Sequence, residues 1–297
     1  MTDPTGKSVF TTYDGLGHVG SIKDRNNRTR TFVYDVNDNL KTETWDNGTV
    51  IGYIYDNVGN LKTSIDGESG VSNSYDYNQI NELTDTNTGG FKFHYTYDRY
   101  GDLIQRQDLV SGSQVAQQTN TYNRNHQLQH LTQTGAGVIT QNVDFAHNRL
   151  SQLTGIDRST ANSTGHLITD YLYTEVGLLR DINHRFNLTN ISHYGYGYDD
   201  GNRLTQTTGT DGTNVITYEH DNQLKTVTKT VGTNESYQFN ALGIRNSSTT
   251  DPSDSRRVNN DGTYQYQYDD EGNLNWKKEL STGKITTYQW DYRNRLT

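Results

Sequence analysis

The chain has 297 residues, a net charge of −9, 22 tyrosines, two prolines and no cysteine. Leu, Ile, Val and Phe make up just under a fifth of the chain, a fraction at which disorder is suspected. Two features oppose disorder: the net charge is small for this length, and the many tyrosines have a high β propensity. The acidic balance argues against nucleic acid as a partner. The lack of cysteine excludes disulfides and thiolate metal sites. No apolar run is long enough for a signal peptide or a membrane span.

Residues 1–8 form a polar lead-in, and a repeated unit begins at residue 9. Its clearest copy is Tyr53-Ile54-Tyr55-Asp56-Asn57-Val58-Gly59-Asn60-Leu61. Two tyrosines at i and i+2 share one face of a strand, aspartate and glycine suit a reversal, and the leucine restarts an extended segment. The unit therefore predicts strand, turn, strand.

Copies of this unit recur about 23 residues apart, which is the signature of a repeat architecture. Residues 9–297 are therefore predicted to be one continuous all-β domain, an array of about 13 hairpins in a spiralling, shell-like antiparallel sheet. The motif residues taken as the structural site are Tyr34, Asp35, Leu40, Tyr53, Tyr55, Asp56, Gly59, Leu61, Tyr97, Asp98, Gly101, Leu103, Tyr198, Asp199, Leu204, Tyr268, Asp269, Gly272, Leu274, Trp290, Asp291 and Leu296.

Two positions of the repeat have specific structural predictions. The residue four places after the second aromatic is Gly, Asn or Asp in most copies, which predicts a left-handed turn residue with φ > 0. These residues are Gly17, Asp38, Gly59, Asn81, Gly101, Gly177, Asn202, Gly243, Gly272 and Asn294. The leucine six places after the aromatic is expected to form a buried ladder, with Leu61 and Leu103 as examples.

Several stretches depart from the pattern. Taking Phe145 and His220 as second aromatics leaves their hairpins one and two residues short, which predicts different turns there. The middle repeats are longer, and Asp157 to Gly165 is predicted to be an enlarged loop because insertions in repeat proteins map to loops. Asp251 to Arg257 is also interpreted as a loop.

No catalytic, cofactor or metal motif stands out from the repeats. The closest pair of histidines is His126 and His130, but i and i+4 lie some 13 Å apart on a strand, too far for one metal ion. There is no EF-hand loop, nucleotide fingerprint, nucleophile elbow or His-Glu-x-x-His sequence. The sequence therefore predicts no catalytic residues, no metal, no cofactor and no enzyme activity.

The Tyr-Asp turns resemble those of the YD-repeat family, which includes bacterial Rhs proteins, the C subunits of insecticidal Tc toxins and the animal teneurins. The resemblance rests on Tyr55 to Leu61, Tyr268 to Leu274 and Trp290 to Leu296, and it covers the repeat region only. It implies hairpins wound into a hollow shell, which in the toxins holds a C-terminal effector. Because the chain stops in mid-repeat at Thr297, we expect a piece of a longer protein.

The resemblance implies two alternative functions. In the first, the chain is a non-catalytic wall segment of a secreted or cell-surface bacterial protein, and its partners are further YD repeats and a C-terminal core or effector. In the second, it is a secreted or cell-surface adhesive scaffold whose exposed tyrosines bind glycans or cell-surface proteins. Neither self-cleavage nor toxin activity can be assigned to these residues.

Overall fold

In the computed structural model, Thr2 and residues 6–239, 249–251 and 254–297 are described, and they form 26 β-strands and no helix. Within each continuous described range, consecutive strands are joined by short reversals, so the predicted all-β hairpin array is confirmed. The chain divides into two compact units, residues 1–75 with 238–297 (unit 1) and residues 76–237 (unit 2).

Unit 1 contains two runs of strands, and within each run every strand pairs antiparallel with the next. The first run is β1 (Phe10–Tyr13), β2 (Val19–Lys23), β3 (Thr29–Tyr34), β4 (Leu40–Thr44), β5 (Val50–Tyr55), β6 (Leu61–Asp66) and β7 (Ser72–Tyr77), and the unit boundary falls within β7. The second run is numbered after the strands of unit 2 and consists of β22 (Thr249–Asp251), β23 (Asp254–Asn260), β24 (Tyr264–Tyr268), β25 (Leu274–Glu279) and β26 (Ile285–Thr287).

Unit 2 is one uninterrupted run of antiparallel strands. Its strands are β8 (Leu83–Thr88), β9 (Phe91–Tyr97), β10 (Leu103–Val110), β11 (Ser113–Tyr122), β12 (Leu128–Gly135), β13 (Val138–His147), β14 (Leu153–Thr160), β15 (His166–Tyr173), β16 (Leu179–Phe186), β17 (Thr189–Tyr198), β18 (Leu204–Gly209), β19 (Gly212–Tyr218), β20 (Leu224–Lys229) and β21 (Glu235–Ser236).

Each repeat that the described residues cover completely has two reversals at opposite ends of its strands. We call the one between a second aromatic and its leucine the first turn, and the one at the other edge the second turn. Most first turns are followed by a β-bulge, as where Tyr122 pairs with Leu128 but Thr121 pairs with His130, so that Gln129 is the extra residue. The bulge has no composition signal of its own, and the sequence did not predict it.

The hairpin predicted to start at Phe145 is regular, so the prediction of a different turn is wrong. His147, not Phe145, pairs with Leu153 six residues later. Ser151 takes the left-handed conformation of the turn, with φ 66°. The residue six places before the leucine is therefore the one that occupies the second-aromatic position. In this hairpin that residue is His147, which replaces the aromatic.

The same correction applies to the hairpin assigned to His220. Tyr218 pairs with Leu224, and His220 lies inside an ordinary first turn in which Asn222 has φ 67°. Asparagine tolerates this conformation, so the turn keeps its length without a glycine.

The middle repeats gain their extra residues in strands, and the predicted enlarged loop is mostly wrong. Residues 157–160 belong to β14, and only residues 161–165 connect it to β15. Strands β11, β13 and β17 have 10 residues each, compared with 6 in β5. Their Gln, Asn and Thr side chains look like loop composition, but they suit a sheet that is exposed to water on both faces.

The predicted loop from Asp251 to Arg257 is wrong as well, because Asp254–Asn260 forms β23 and pairs with β22. Residues 252 and 253 lie outside the described residues. Gly243, one of the predicted left-handed turn residues, also lies outside them.

The described residues contain no buried apolar side chain, so the predicted buried leucine ladder is wrong. Leu61 and Leu103 are only partly buried. The buried polar residues among the described ones are Glu43, Asn120 and Thr169, and Gly195 is buried as well. These side chains lie on described strands that pair edge to edge with their neighbours in the sheet.

Candidate functional site

The repeated feature with the most defined geometry is the first turn, and Asp56 organises it. Its Oδ1 atom accepts hydrogen bonds from the backbone N–H groups of Val58 (3.0 Å) and Asn60 (2.9 Å). Backbone bonds from Asp56 N to Asn60 O (2.9 Å) and from Gly59 N to Asp56 O (3.2 Å) close the turn. Gly59 has φ 91°, as the sequence predicts. The aspartate therefore stabilises the reversal.

The other turn aspartates of the motif have the same bonds. In each, one carboxylate oxygen accepts at least the N–H of the residue four places on. These residues are Asp35, Asp98, Asp199, Asp269 and Asp291. The N–H of Asn39 lowers the pKa of Asp35 below its ordinary value, and the N–H of Arg203 does the same for Asp199. These carboxylates are therefore bonded to the backbone of their own turns.

The second aromatic connects each repeat to the one before it. The hydroxyl of Tyr198 donates a hydrogen bond of 2.7 Å to the carbonyl oxygen of Leu179, the restarting leucine of the preceding repeat. The indole N–H of Trp290 donates to the carbonyl of Leu274 in the same way, at 2.9 Å. Equivalent bonds are made by Tyr34, Tyr122, Tyr173, Tyr218 and Tyr268. Sequence reasoning missed this ladder, although the preference for Tyr and Trp over Phe at this position is its signal.

In unit 1, first turns of the second run of strands dock on second turns of the first run. The Glu271 carboxylate accepts a hydrogen bond from the backbone N–H of Arg25, and its other oxygen lies 3.6 Å from the Arg25 guanidinium. The Asn26 amide donates to Asp269 at 3.0 Å. Lys7 pairs with Asp270 at 2.8 Å. We use the name interlock for these contacts and for the contacts of residues 291–295, which are described next.

The second half of the interlock is centred on Arg293. Its guanidinium donates to both carboxylate oxygens of Asp66, at 3.0 and 3.2 Å, and this bond lowers the pKa of Asp66 to about 2. Tyr292 packs edge-on against Trp45, with ring centroids 5.4 Å apart, and its hydroxyl donates to Glu68 at 2.7 Å. Bidentate charged contacts of this kind are stronger than neutral hydrogen bonds.

Arg28 completes the interlock and lines a cavity of about 250 Å³ beside it. Its guanidinium donates to the backbone carbonyl of Asp291 (3.1 Å) and to Asn294 (2.9 Å). Arg30 also lines the cavity and lies over Trp45, 4.7 Å from the ring centroid. Both arginines also bond acidic side chains of their own run, so the cavity wall is polar and close to charge balance.

Unit 2 has a larger open cleft of about 670 Å³ between the first turns that begin at Asp98 and Asn123. The exposed Tyr100 lines the cleft, and its ring contacts the His126 ring edge-on, with centroids 5.3 Å apart. His126 bonds Asp102 at 2.7 Å. Tyr100 gives this cleft an aromatic wall.

The two histidines considered for a metal site bond different aspartates, His126 with Asp102 and His130 with Asp144 at 2.6 Å. Within the described ranges, no three His, Cys, Asp or Glu side chains are grouped as metal ligands would be. The described part of the chain also has no helix long and apolar enough to cross a membrane.

No protein-family model matches this chain, and comparison with curated proteins gives no match. Among solved structures, the crystal structure of TcdB2-TccC3-Cdc42 aligns with 95% of this chain and 18% of that chain, at 14% identity and a TM-score of 0.48. The crystal structure of TcdB2-TccC3-TEV aligns with 97% of this chain and 17% of that chain, at 16% identity and a TM-score of 0.49. The chain thus spans less than a fifth of the length of either.

Proposed function

We propose that this chain is a non-catalytic wall segment of a protein shell, and that in a longer parent protein the shell encloses a C-terminal polypeptide. The observation that carries the proposal is that the described residues form a hairpin array without a buried apolar side chain. A polar inner face can hold an unfolded or partly folded polypeptide without binding it tightly, whereas a strongly apolar lining would retain it.

The interlock supports the same proposal, because a wall must close against itself. Arg293 and Asp66 join two runs of hairpins through a bidentate pair, and Glu271 adds a backbone hydrogen bond and an ion pair with Arg25. Contacts between turns leave both faces of the strands available. We propose that the parent joins further hairpin repeats by such contacts.

We propose that residues 9–297 act as one repeat domain after a short lead-in, that the motif aspartates and tyrosines are structural residues, and that the segment binds no cofactor. The parent would be secreted or exposed at the cell surface of a bacterium. Nucleic acid is a poor partner for a chain with a net charge of −9.

The test is limited proteolysis of the parent with and without these repeats. We expect the C-terminal polypeptide to resist protease in the intact parent and to be digested when the repeats are deleted. The same polypeptide expressed alone gives the unprotected rate. Equal digestion in both forms of the parent would refute encapsulation.

The alternative is an adhesive scaffold that binds glycans or cell-surface proteins, and the Tyr100 cleft is the observation that favours it. An exposed aromatic ring beside Asp102, Arg124 and His126 offers one apolar face and several polar groups, which suits a sugar. Binding of the chain to immobilised chitotriose and maltotriose tests this alternative. We expect Tyr100→Ala to abolish any such binding while Leu150→Ala, at the same position of another first turn, leaves it intact.

A further inference from the structure

The cavity beside the interlock is lined by residues from both runs of unit 1. Arg30 and Trp45 belong to the first run, and Tyr292 and Arg293 lie in the first turn that follows β26 of the second run. The cavity volume of about 250 Å³ exceeds the roughly 150 Å³ in which an engineered protein cavity holds benzene. A small organic molecule therefore has room to contact both runs at once.

Two buried N–H groups of the lining residues find no acceptor within the described part of the chain. They are the indole Nε1 of Trp45 and the Nε of Arg293. The other two tryptophans differ, because the indole N–H groups of Trp276 and Trp290 both donate hydrogen bonds. A buried donor without an acceptor is destabilising, so two such donors on the wall of one cavity indicate a ligand with acceptor atoms.

Arg30 adds further donors to the same wall. Its guanidinium has five N–H groups and donates a hydrogen bond from Nη1 to Glu43 at 3.2 Å. This guanidinium lies over the Trp45 ring, and the Arg293 guanidinium lies 5.6 Å from the centroid of the same ring. The N–H donors of three neighbouring side chains therefore line one cavity.

The charge of the wall restricts the kind of acceptor. Arg28, Arg30 and Arg293 line the cavity together with Asp24 and Asp46, which leaves one positive charge. Each of these arginines also bonds a carboxylate of the protein, so a ligand with two negative charges would exceed the balance. A carboxylate has a single charge and two acceptor oxygens, and N–H groups bond charged acceptors more strongly than neutral ones.

We propose that this cavity binds a small organic monocarboxylate, whose oxygens accept hydrogen bonds from Arg30, the indole N–H of Trp45 and the Nε–H of Arg293. The apolar part of the ligand would contact Ile22 and Tyr292, which also line the cavity. Because the ligand contacts both runs, its binding stabilises the docked arrangement of the interlock by mass action. This proposal depends neither on the shell nor on the glycan site of unit 2.

The test is a titration of the full chain with benzoate, which combines a carboxylate with one aromatic ring, followed by heteronuclear NMR of the indole N–H groups. The chain has three tryptophans, and Trp→Phe variants assign their three signals. We expect the Trp45 signal to move downfield and to saturate, because its N–H gains an acceptor. The signals of Trp276 and Trp290 should stay in place. No shift of the Trp45 signal, or equal shifts of all three, would overturn the proposal.

Two matched ligands test the charge. Benzamide has the same ring without a charge, and phenyl phosphate is a dianion at about pH 8. We expect each to bind about tenfold more weakly than benzoate, because one lacks the charge-assisted bonds and the other exceeds the charge balance of the wall. Equal affinity for benzamide would contradict the assigned carboxylate, and tighter binding of phenyl phosphate would contradict a monocarboxylate site.

Trp45→Phe removes the indole N–H and keeps an aromatic ring. Benzoate should raise the thermal midpoint of the native chain, and this rise should be mostly lost in Trp45→Phe. Trp276→Phe, on β25 and outside the cavity, is the matched control and should keep the full rise. Equal rises in the two variants would contradict the assigned donor. If Trp45→Phe does not fold, the NMR titration of the native chain still decides between the outcomes.

Discussion

At the scale of single residues, the array depends on polar contacts that recur with the repeat. The second aromatic has a partly buried ring and a hydroxyl or indole N–H that reaches the backbone of the preceding repeat. The turn aspartate satisfies backbone N–H groups that a tight reversal leaves without strand partners. Stability is therefore distributed over many contacts, each of modest size.

Tyr198→Phe tests the tyrosine ladder, since it removes the hydroxyl that donates to the Leu179 carbonyl and keeps the ring. We expect it to lower the free energy of unfolding by about 0.5–1.5 kcal/mol. Tyr196→Phe, which removes a hydroxyl two residues away on the same strand, should change stability less. Denaturant unfolding measures both variants, and equal effects would show that the ladder bond contributes nothing specific.

The pH dependence of the stability of Asp66→Asn tests the interlock. The folded pKa of Asp66, about 2, lies below the ordinary value of 3.8, so its ionised form stabilises the folded state above pH 3.8, and this contribution is lost as the pH falls from 3.8 towards 2. Asp66→Asn should be less stable than the native chain near neutral pH, and the difference should shrink over that acidic window. Asp211→Asn, in an exposed second turn, is the control. A difference independent of pH would exclude the Arg293 pair as its cause.

At the scale of the hairpin, the first turn fixes the geometry and the strands vary in length. Turn length and the φ > 0 position are the same at Gly59, Ser151 and Asn222, although the three residues share no side-chain chemistry. Strand length varies from 2 residues in β21 to 10 in β11. A repeat can therefore grow by adding residue pairs between two unchanged turns.

Gly59→Ala tests the turn conformation. Alanine at φ 91° is strained, and the added Cβ meets only the Asn39 side chain at 3.9 Å, so the expected loss of about 1–2 kcal/mol comes from the backbone. Gly52→Ala is the matched control, because this strand glycine has no positive φ and a Cβ added there meets no atom within 4 Å. Thermal unfolding of the two variants should differ, with Gly52→Ala neutral or slightly stabilising. Equal destabilisation would contradict the turn assignment.

The periodicity predicted the hairpins, because aromatic residues, turn residues and leucine are local signals. It did not predict which side chains are buried: Leu61 is only partly covered, since burial depends on whether a second layer exists. The polar end of β14 resembles a loop in composition, because a sheet exposed to water on both faces lacks the alternation of apolar and polar residues. The interlock was not predictable, because Arg293 and Asp66 are 227 residues apart and neither departs from ordinary turn composition.

At the scale of the whole molecule, a wall requires that successive residues of one strand face opposite compartments. Gln133 and Thr134 satisfy this condition in β12, an inner strand paired on both sides. Their side chains point to opposite faces of the sheet, and both residues are exposed. In an isolated segment both faces should be open, whereas in a closed parent one face should be shut off from large molecules.

The most direct test introduces one cysteine at a time into this cysteine-free chain, as Gln133→Cys or Thr134→Cys, and measures the rate of reaction with a maleimide attached to a large polymer. In the isolated chain we expect both cysteines to react at similar rates. In the parent, one of the two should become strongly protected while the other stays reactive, and a small maleimide should reduce the difference. Equal reaction of both cysteines in the parent would contradict a wall with an inside and an outside.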